Sequence, residues 1–319
     1  MTSTLMRVCL SSLMLVSLLA GCGGGGGGGD ASPSTTPTGG TPSVSENPSA
    51  PPPPRYSSIS GIAAKGIIGN ARITAYDIGD DGSRGAMLGV AQTGIDGKFT
   101  LEILAQSTPV WLELSGGTGA FMLCDSLDGC GETSNTTYDA NQNGQVDFGE
   151  KMALPPGFGL RALVPAAEDN SVSANISLLT HMAAAYAETF PQGIDGLSIA
   201  MANSQTANLF ALDGDVLTTT VPDVSQIDRY QAATQTQRKY ALILGGFSAL
   251  AQNGEIVSLL QQAVTQFSGQ QGQLANHSDD AMTLSLSAWA EKSRLLAVHL
   301  NDSLLAAAFA NLKNAADIA

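Results

Sequence analysis

Asp139, Asn141, Asn143, Gln145, Asp147 and Glu150 stand at positions one, three, five, seven, nine and twelve of a twelve-residue stretch. Ca²⁺ collects about six to eight hard oxygen ligands in a flexible cage, and a loop with this spacing supplies them. Gln145 would offer its backbone carbonyl, and Glu150 can bind through both carboxylate oxygens. Gly144 falls at position six, where the chain must turn sharply, and the apolar Val146 at position eight is placed to anchor the loop. The donor set is hard and the cage flexible, which suits Ca²⁺ better than Mg²⁺. The competing reading is an Asp/Asn/Gly-rich turn that holds no ion.

Residue by residue, this stretch resembles the EF-hand calcium loop. Its flanks depart from that family. Upstream, Gly131-Glu132-Thr133-Ser134-Asn135-Thr136-Thr137 is a poor helix, and downstream Pro155-Pro156-Gly157 stops one almost at once. The stretch is therefore more similar to the isolated calcium loops of dockerins and thrombospondin type 3 repeats. That resemblance implies a structural ion rather than a helix-opening sensor. Three carboxylates against two amides imply modest affinity, with Kd on the order of 0.1–1 mM as in extracellular modules.

The elements around the loop set its purpose. Cys124 and Cys130 lie just before it, and an exported chain meets oxidising surroundings, so they are read as one disulfide. A metal pair is the alternative, but no nearby His or third Cys supports it. Before residue 124 the pattern has period two: Ala71, Ile73 and Ala75, then Phe99, Leu101 and Ile103, then Val110, Leu112 and Leu114, with Gly61, Gly69, Gly82 and Asp96-Gly97 as punctuation. After Pro165 the period becomes helical. Leu178, Met182, Tyr186 and Phe190 form one stripe, and Tyr240, Ile243, Leu244 and Phe247 a second. Ile256, Leu259, Leu260, Val264 and Phe267 form a third. A last segment from Leu284 to Leu312 carries Trp289, Leu296, Leu300 and Leu304 and breaks near Asn301-Asp302, which can cap a new helix.

Ile59-Ser60-Gly61, Gly69-Asn70-Ala71-Arg72-Ile73 and Gln92-Thr93-Gly94-Ile95-Asp96-Gly97-Lys98-Phe99 resemble the carboxypeptidase regulatory-like family over residues 57–114. The resemblance implies a small β-sandwich that serves as an accessory module, without peptidase activity. The expected fold is α+β: an N-terminal antiparallel β-sandwich at 57–123, a disulfide and calcium-loop joint at 124–165, and a C-terminal α-helical domain at 166–319.

The first 56 residues read as delivery and tether. Arg7 precedes an apolar run from Leu10 to Leu19, the layout of a secretory signal too short to span a bilayer. Leu19-Ala20-Gly21-Cys22 then resembles the bacterial lipoprotein lipobox. The resemblance implies cleavage of residues 1–21, a diacylglycerol on the Cys22 sulfur and an acyl group such as palmitate on its new amine. Two or more chains hold a protein stably on a membrane. An ordinary signal peptide with a coincidental cysteine is the alternative. Gly23 in place of an Asp after the lipid site implies the outer rather than the inner membrane of a two-membrane cell. Residues 22–56 run through Gly23–Gly29, then Ser, Thr and Pro, to Pro51-Pro52-Pro53-Pro54, a composition that builds no core and makes a disordered tether.

Charge bounds the partners. The chain carries a formal −14; residues 1–21 hold one of the 14 basic residues and none of the 28 acidic ones, leaving 13 − 28 = −15 after cleavage. Such a surface repels phosphate backbones, so nucleic acid is excluded as a partner and the membrane is expected to be engaged through the lipid alone. No catalytic set stands out. His181, Glu188, His277 and His299 lack a metal-ligand spacing. Gly246-Phe247-Ser248-Ala249-Leu250 lacks the second glycine of a nucleophile elbow and sits in a helical stripe. Trp111 reads as an exposed binding aromatic or as packing against another segment. The functional expectation is an envelope lipoprotein acting as a calcium-stabilised binding or structural module with a protein or glycan partner. An envelope hydrolase with an interdomain site and a small-ligand binder using the helical half are the alternatives.

Overall fold

Eleven strands and seven helices follow one another in the computed structural model, which describes residues 53–79, 81–168, 171–251, 255–278 and 283–318. The expected signal segment 1–21, the expected lipid site Cys22 and the expected tether up to residue 52 lie outside the described residues. The strands are β1 (Tyr56–Ala64), β2 (Ile68–Gly69), β3 (Arg72–Ile78), β4 (Arg84–Gln92), β5 (Lys98–Leu104), β6 (Val110–Ser115), β7 (Phe121–Leu123), β8 (Lys151–Ala153), β9 (Gly159–Val164), β10 (Val172–Ser173) and β11 (Ile176–Ser177). The helices are α1 (Leu178–Ala187), α2 (Gly196–Leu209), α3 (Ile227–Ala232), α4 (Gln235–Ser248), α5 (Ile256–Gly269), α6 (Leu286–His299) and α7 (Ser303–Ile318). The fold is α+β, with strands in the N-terminal half and helices in the C-terminal half.

One antiparallel sheet has the order β4-β3-β6-β9, and a short one the order β2-β7-β8. Period-two alternation places Ile73, Leu112 and Leu114 on the buried side, and Phe99, Leu101 and Ile103 of β5 do the same. The third sheet is not purely antiparallel. β1 pairs antiparallel with β5 along its length, and on its other edge in parallel with β10 (Ile59↔Val172) and then β11 (Ala63↔Ile176). Those two strands belong to the segment 166–319, which by periodicity is helical. Two residues make the pairing possible. Gly61 packs so close to Ala174 that a Cβ there would stand 2.0 Å from the Ala174 carbonyl oxygen. Asn175, buried at the turn between the short strands, accepts from the Ile62 amide at 3.1 Å and donates to the Thr219 carbonyl at 2.7 Å.

The helices follow their stripes and their caps. Ser177 ends β11 and caps α1 in a reciprocal pair with Thr180. Asp302 accepts from the Leu305 amide at 3.2 Å and opens α7, as the break near Asn301-Asp302 suggests. Trp289 of α6 lies between Phe210 and Phe247, with ring centroids at 4.6 and 4.9 Å, and donates its indole N–H to the Ile243 carbonyl at 2.7 Å. α2 and α3 carry no long stripe and are not evident from periodicity. Residues 52–319 make one compact unit, and a continuous apolar core runs from Ile59 to Phe309.

Candidate functional site

The loop 139–150 is curled by its own side chains. Asp139, buried, accepts from the amides of Asn143 at 3.2 Å and Gly144 at 2.8 Å. Asn141 accepts from the Asn143 amide at 3.0 Å, and Asn143 from the Gln145 amide at 2.8 Å. Gly144 has φ +80°, a left-handed turn that the sixth position requires. Glu150 binds the Ala140 amide with one oxygen and the Asp147 amide with the other, at 2.8 and 2.9 Å.

The structure thus brings Asp139, Asn141, Asn143, Asp147 and Glu150 into one hydrogen-bonded loop. It does not gather the three carboxylates into a ligand shell: among the described residues no three His, Cys, Asp or Glu side chains are grouped to hold an ion. Instead the side-chain amides of Asn141 and Asn143 both donate to the same Asp147 oxygen, at 2.7 and 2.9 Å. Turning either amide about its last torsion would exchange the NH₂ for the oxygen and take that oxygen from the backbone amide, of Asn143 or Gln145, that it now accepts from. The donor set, three carboxylates and two amide oxygens, suits a hard cation, and the two amides would give up those bonds to join it. No helix flanks the loop; Glu132 bridges Gln145 on one side and β8 follows on the other.

The loop is zipped to the disulfide ring. Cys124 and Cys130 are bonded, with S–S 2.08 Å. Three backbone bonds join ring and loop, Cys124 N–H to Glu150 O, Gly149 N–H to Cys124 O and Cys130 N–H to Val146 O, and Gly131 beside the ring accepts from Val146 N–H, each 2.8 Å. Val146 is buried beneath them.

A group that spacing alone does not reveal sits inside the ring. Asp125 accepts from the Gly66 amide at 2.8 Å, pairs with Lys65 at 3.3 Å and accepts from the Ser248 hydroxyl, which also meets the Lys65 ammonium. Lys65 and Asp125 are each 2 % exposed. Burial pushes the Asp125 carboxyl up, against the pull of Lys65 and Ser248. Lys65 comes from the β1–β2 turn, Asp125 from the ring and Ser248 from the end of α4, so the trio joins both halves. A Ser, a Lys and an Asp invite comparison with a nucleophile and its base. The cavities that adjoin the trio, of about 10, 10 and 30 Å³, have room for little more than a water molecule. The sequence signal for the trio is slight: a lone Lys65 between Ala63-Ala64 and Ile67-Ile68.

Further contacts tie the segment 124–150 to the helices. Asp128 pairs with Lys292 of α6 at 2.8 Å, and Phe148 meets the His299 ring edge-on at 5.6 Å. Gly245 of α4 admits this close packing, since a Cβ there would stand 2.8 Å from the Asp125 carbonyl oxygen, and Gly246 lets α6 approach α4, since a Cβ there would stand 2.7 Å from the Ser293 amide.

A second polar cluster gathers around Arg161. Trp111 is buried rather than exposed, with the Arg161 guanidinium 5.1 Å from its ring centroid. Arg161 pairs with Glu188 at 3.0 Å and lines a cleft of about 230 Å³ together with His181. Burial, then the Arg161 charge, holds His181 down at about 3; burial pushes Glu188 up against the pull of Arg161. Nδ1 of His181 has no hydrogen-bond partner among the described residues. Compared with protein-family models, curated proteins and solved structures, the chain matches none.

Proposed function

We propose that this chain is a lipid-anchored envelope module, held by Cys22 on the outer rather than the inner membrane, in which Ca²⁺ and the Cys124–Cys130 bond stiffen the connection between the strand half and the helical half. The strand half is read as the accessory β-sandwich that its sequence resembles, and its partner as an envelope protein or glycan. Asp139, Asn141, Asn143, Asp147 and Glu150 would hold the ion with side-chain oxygens and Gln145 with its carbonyl; bound Ca²⁺ would supply charge compensation and no chemistry.

One observation carries the reading. The segment 124–150 touches both halves at once, through Lys65 on one side and Ser248, Lys292 and His299 on the other. An ion that fixed this segment would fix both. Limited proteolysis with Ca²⁺ and with chelator tests it: chelation is expected to open cleavage within 124–165, and equal cleavage in both conditions would sink the calcium part. Mass spectrometry of the mature chain tests the anchor, with an acylated Cys22 at the N-terminus as the expected result.

A further inference from the structure

A groove of about 670 Å³ opens between the strand half and the segment 220–229, a size that suits a small organic ligand. Its floor is apolar and nearly sealed, with Ile62, Ile67, Phe121 and Val221 each 6 % exposed or less, and the half-buried Leu123 and Pro222 line it above them. Its rim is cationic. Lys98, Lys151 and Arg229 all line it, in a chain whose net charge is −14. Two carboxylates also line it. Asp96 is held by Lys98 at 3.1 Å; Asp223 accepts from the Ser225 amide and hydroxyl at 2.9 and 2.6 Å and has no ion pair among the described residues, so the rim sets two free cations against one free acid.

Lys151 and Arg229 are different. Both are exposed, and neither has a carboxylate within ion-pair distance among the described residues. The Lys151 ammonium rests 4.5 Å from the Phe121 ring centroid, so the cation and the apolar floor adjoin. At the lip, Ile95 is 74 % exposed on the hairpin turn beside Asp96. An acidic protein that leaves two cations uncommitted over an apolar floor presents a surface for a ligand with matching halves.

We infer that this groove is a binding site for a small amphipathic anion, an apolar body with one carboxylate or similar acid group, whose acid meets Lys151 and Arg229 while its body lies along Ile95, Leu123 and Pro222. The inference does not depend on Ca²⁺, so the chelator experiment leaves it untouched.

Fluorescence titration with anilinonaphthalene sulfonate, an apolar anion, tests it on the full chain carrying Cys22→Ser, so that no acyl chain competes for the dye. The anion should bind more tightly than neutral phenylnaphthylamine. Lys151→Gln together with Arg229→Gln should weaken the anion about tenfold and leave the neutral dye unchanged. Lys292→Gln, which touches Asp128 and not the groove, should change neither. Both rim side chains are exposed, so the double variant is expected to keep the circular dichroism of the parent. Decanoate should displace the dye and phosphatidylglycerol vesicles should not. Equal binding of the two dyes, an unaffected double variant, a matching loss in Lys292→Gln, or displacement by vesicles alone would each overturn the assignment.

Discussion

Asp125 and two carboxylates of the loop 139–150, Asp147 and Glu150, lie within one hydrogen-bonded segment, yet they live under opposite conditions. Asp125 is buried and carries its own cation, Lys65, with Gly66 and Ser248 completing its hydrogen bonds. Asp147 and Glu150 are satisfied only by amides, and among the described residues no ion pair reaches either. The difference teaches how to sort acids in an acidic chain. Where the fold supplies the countercharge, the acid is a fastening, and removing its partner strands a charge out of water. Where the fold supplies only amide dipoles, the acids are open to a countercharge from outside.

The comparison can be broken in several places. The largest effect is expected from Lys65→Met, which leaves Asp125 buried and uncompensated; urea unfolding should show a loss of about 3–5 kcal/mol. Adding Asp125→Leu should recover a large part of it, because an apolar pair is tolerated where a lone charge is not. No recovery in the double variant would mean that Asp125 matters for more than its charge. Next, Cys124→Ser with Cys130→Ser should cost about 2–3 kcal/mol on the loop-entropy estimate, and it should weaken any Ca²⁺ response, since ring and loop share three backbone bonds. Third, about 10 mM Ca²⁺ against a Kd on the order of 0.1–1 mM should stabilise the protein by about 1.4–2.7 kcal/mol. Glu150→Gln should abolish that increment in a thermal melt. A melt indifferent to Ca²⁺ would return the loop to an ion-free turn.

His181 extends the comparison to a base with a neighbour of its own sign. Its folded pKa, about 3, lies below the unfolded value of 6.5. The unfolded state therefore binds the extra proton between these values. The stability from neutral His181 is complete above about pH 6.5 and drains away as pH falls towards 3, at about 1.4 kcal/mol per pH unit where the difference is one full proton. His181→Gln should flatten that part of the pH–stability profile, and an unchanged slope would assign it to other groups.

Much of the layout was legible because periodicity reports burial directly. The alternations at Phe99–Ile103 and Val110–Leu114 and the stripe from Tyr240 to Phe247 all fall on buried faces of β5, β6 and α4. β10 and β11 were not legible. Two-residue strands have no period to display, and their pairing with β1 depends on an absent side chain at Gly61 and one amide at Asn175. The oxygen-bearing residues of the loop were readable from spacing, since they lie within one local turn. The trio Lys65, Asp125 and Ser248 was not, because its members are brought together from three distant stretches and only tertiary packing reveals them. Arg161, which governs Trp111, His181 and Glu188, escaped for the same reason.

The parallel edge of β1 has a consequence for assembly. A ribosome delivers this chain from its N-terminus, so β1 exists long before β10 and β11; Asn175, between those two strands, lies 113 residues beyond Ile62. Until those short strands arrive, one side of the first strand is an open template for any passing backbone. Nascent or clipped molecules ending near residue 165 should therefore self-associate, while a chain that reaches residue 177 can close its own seam.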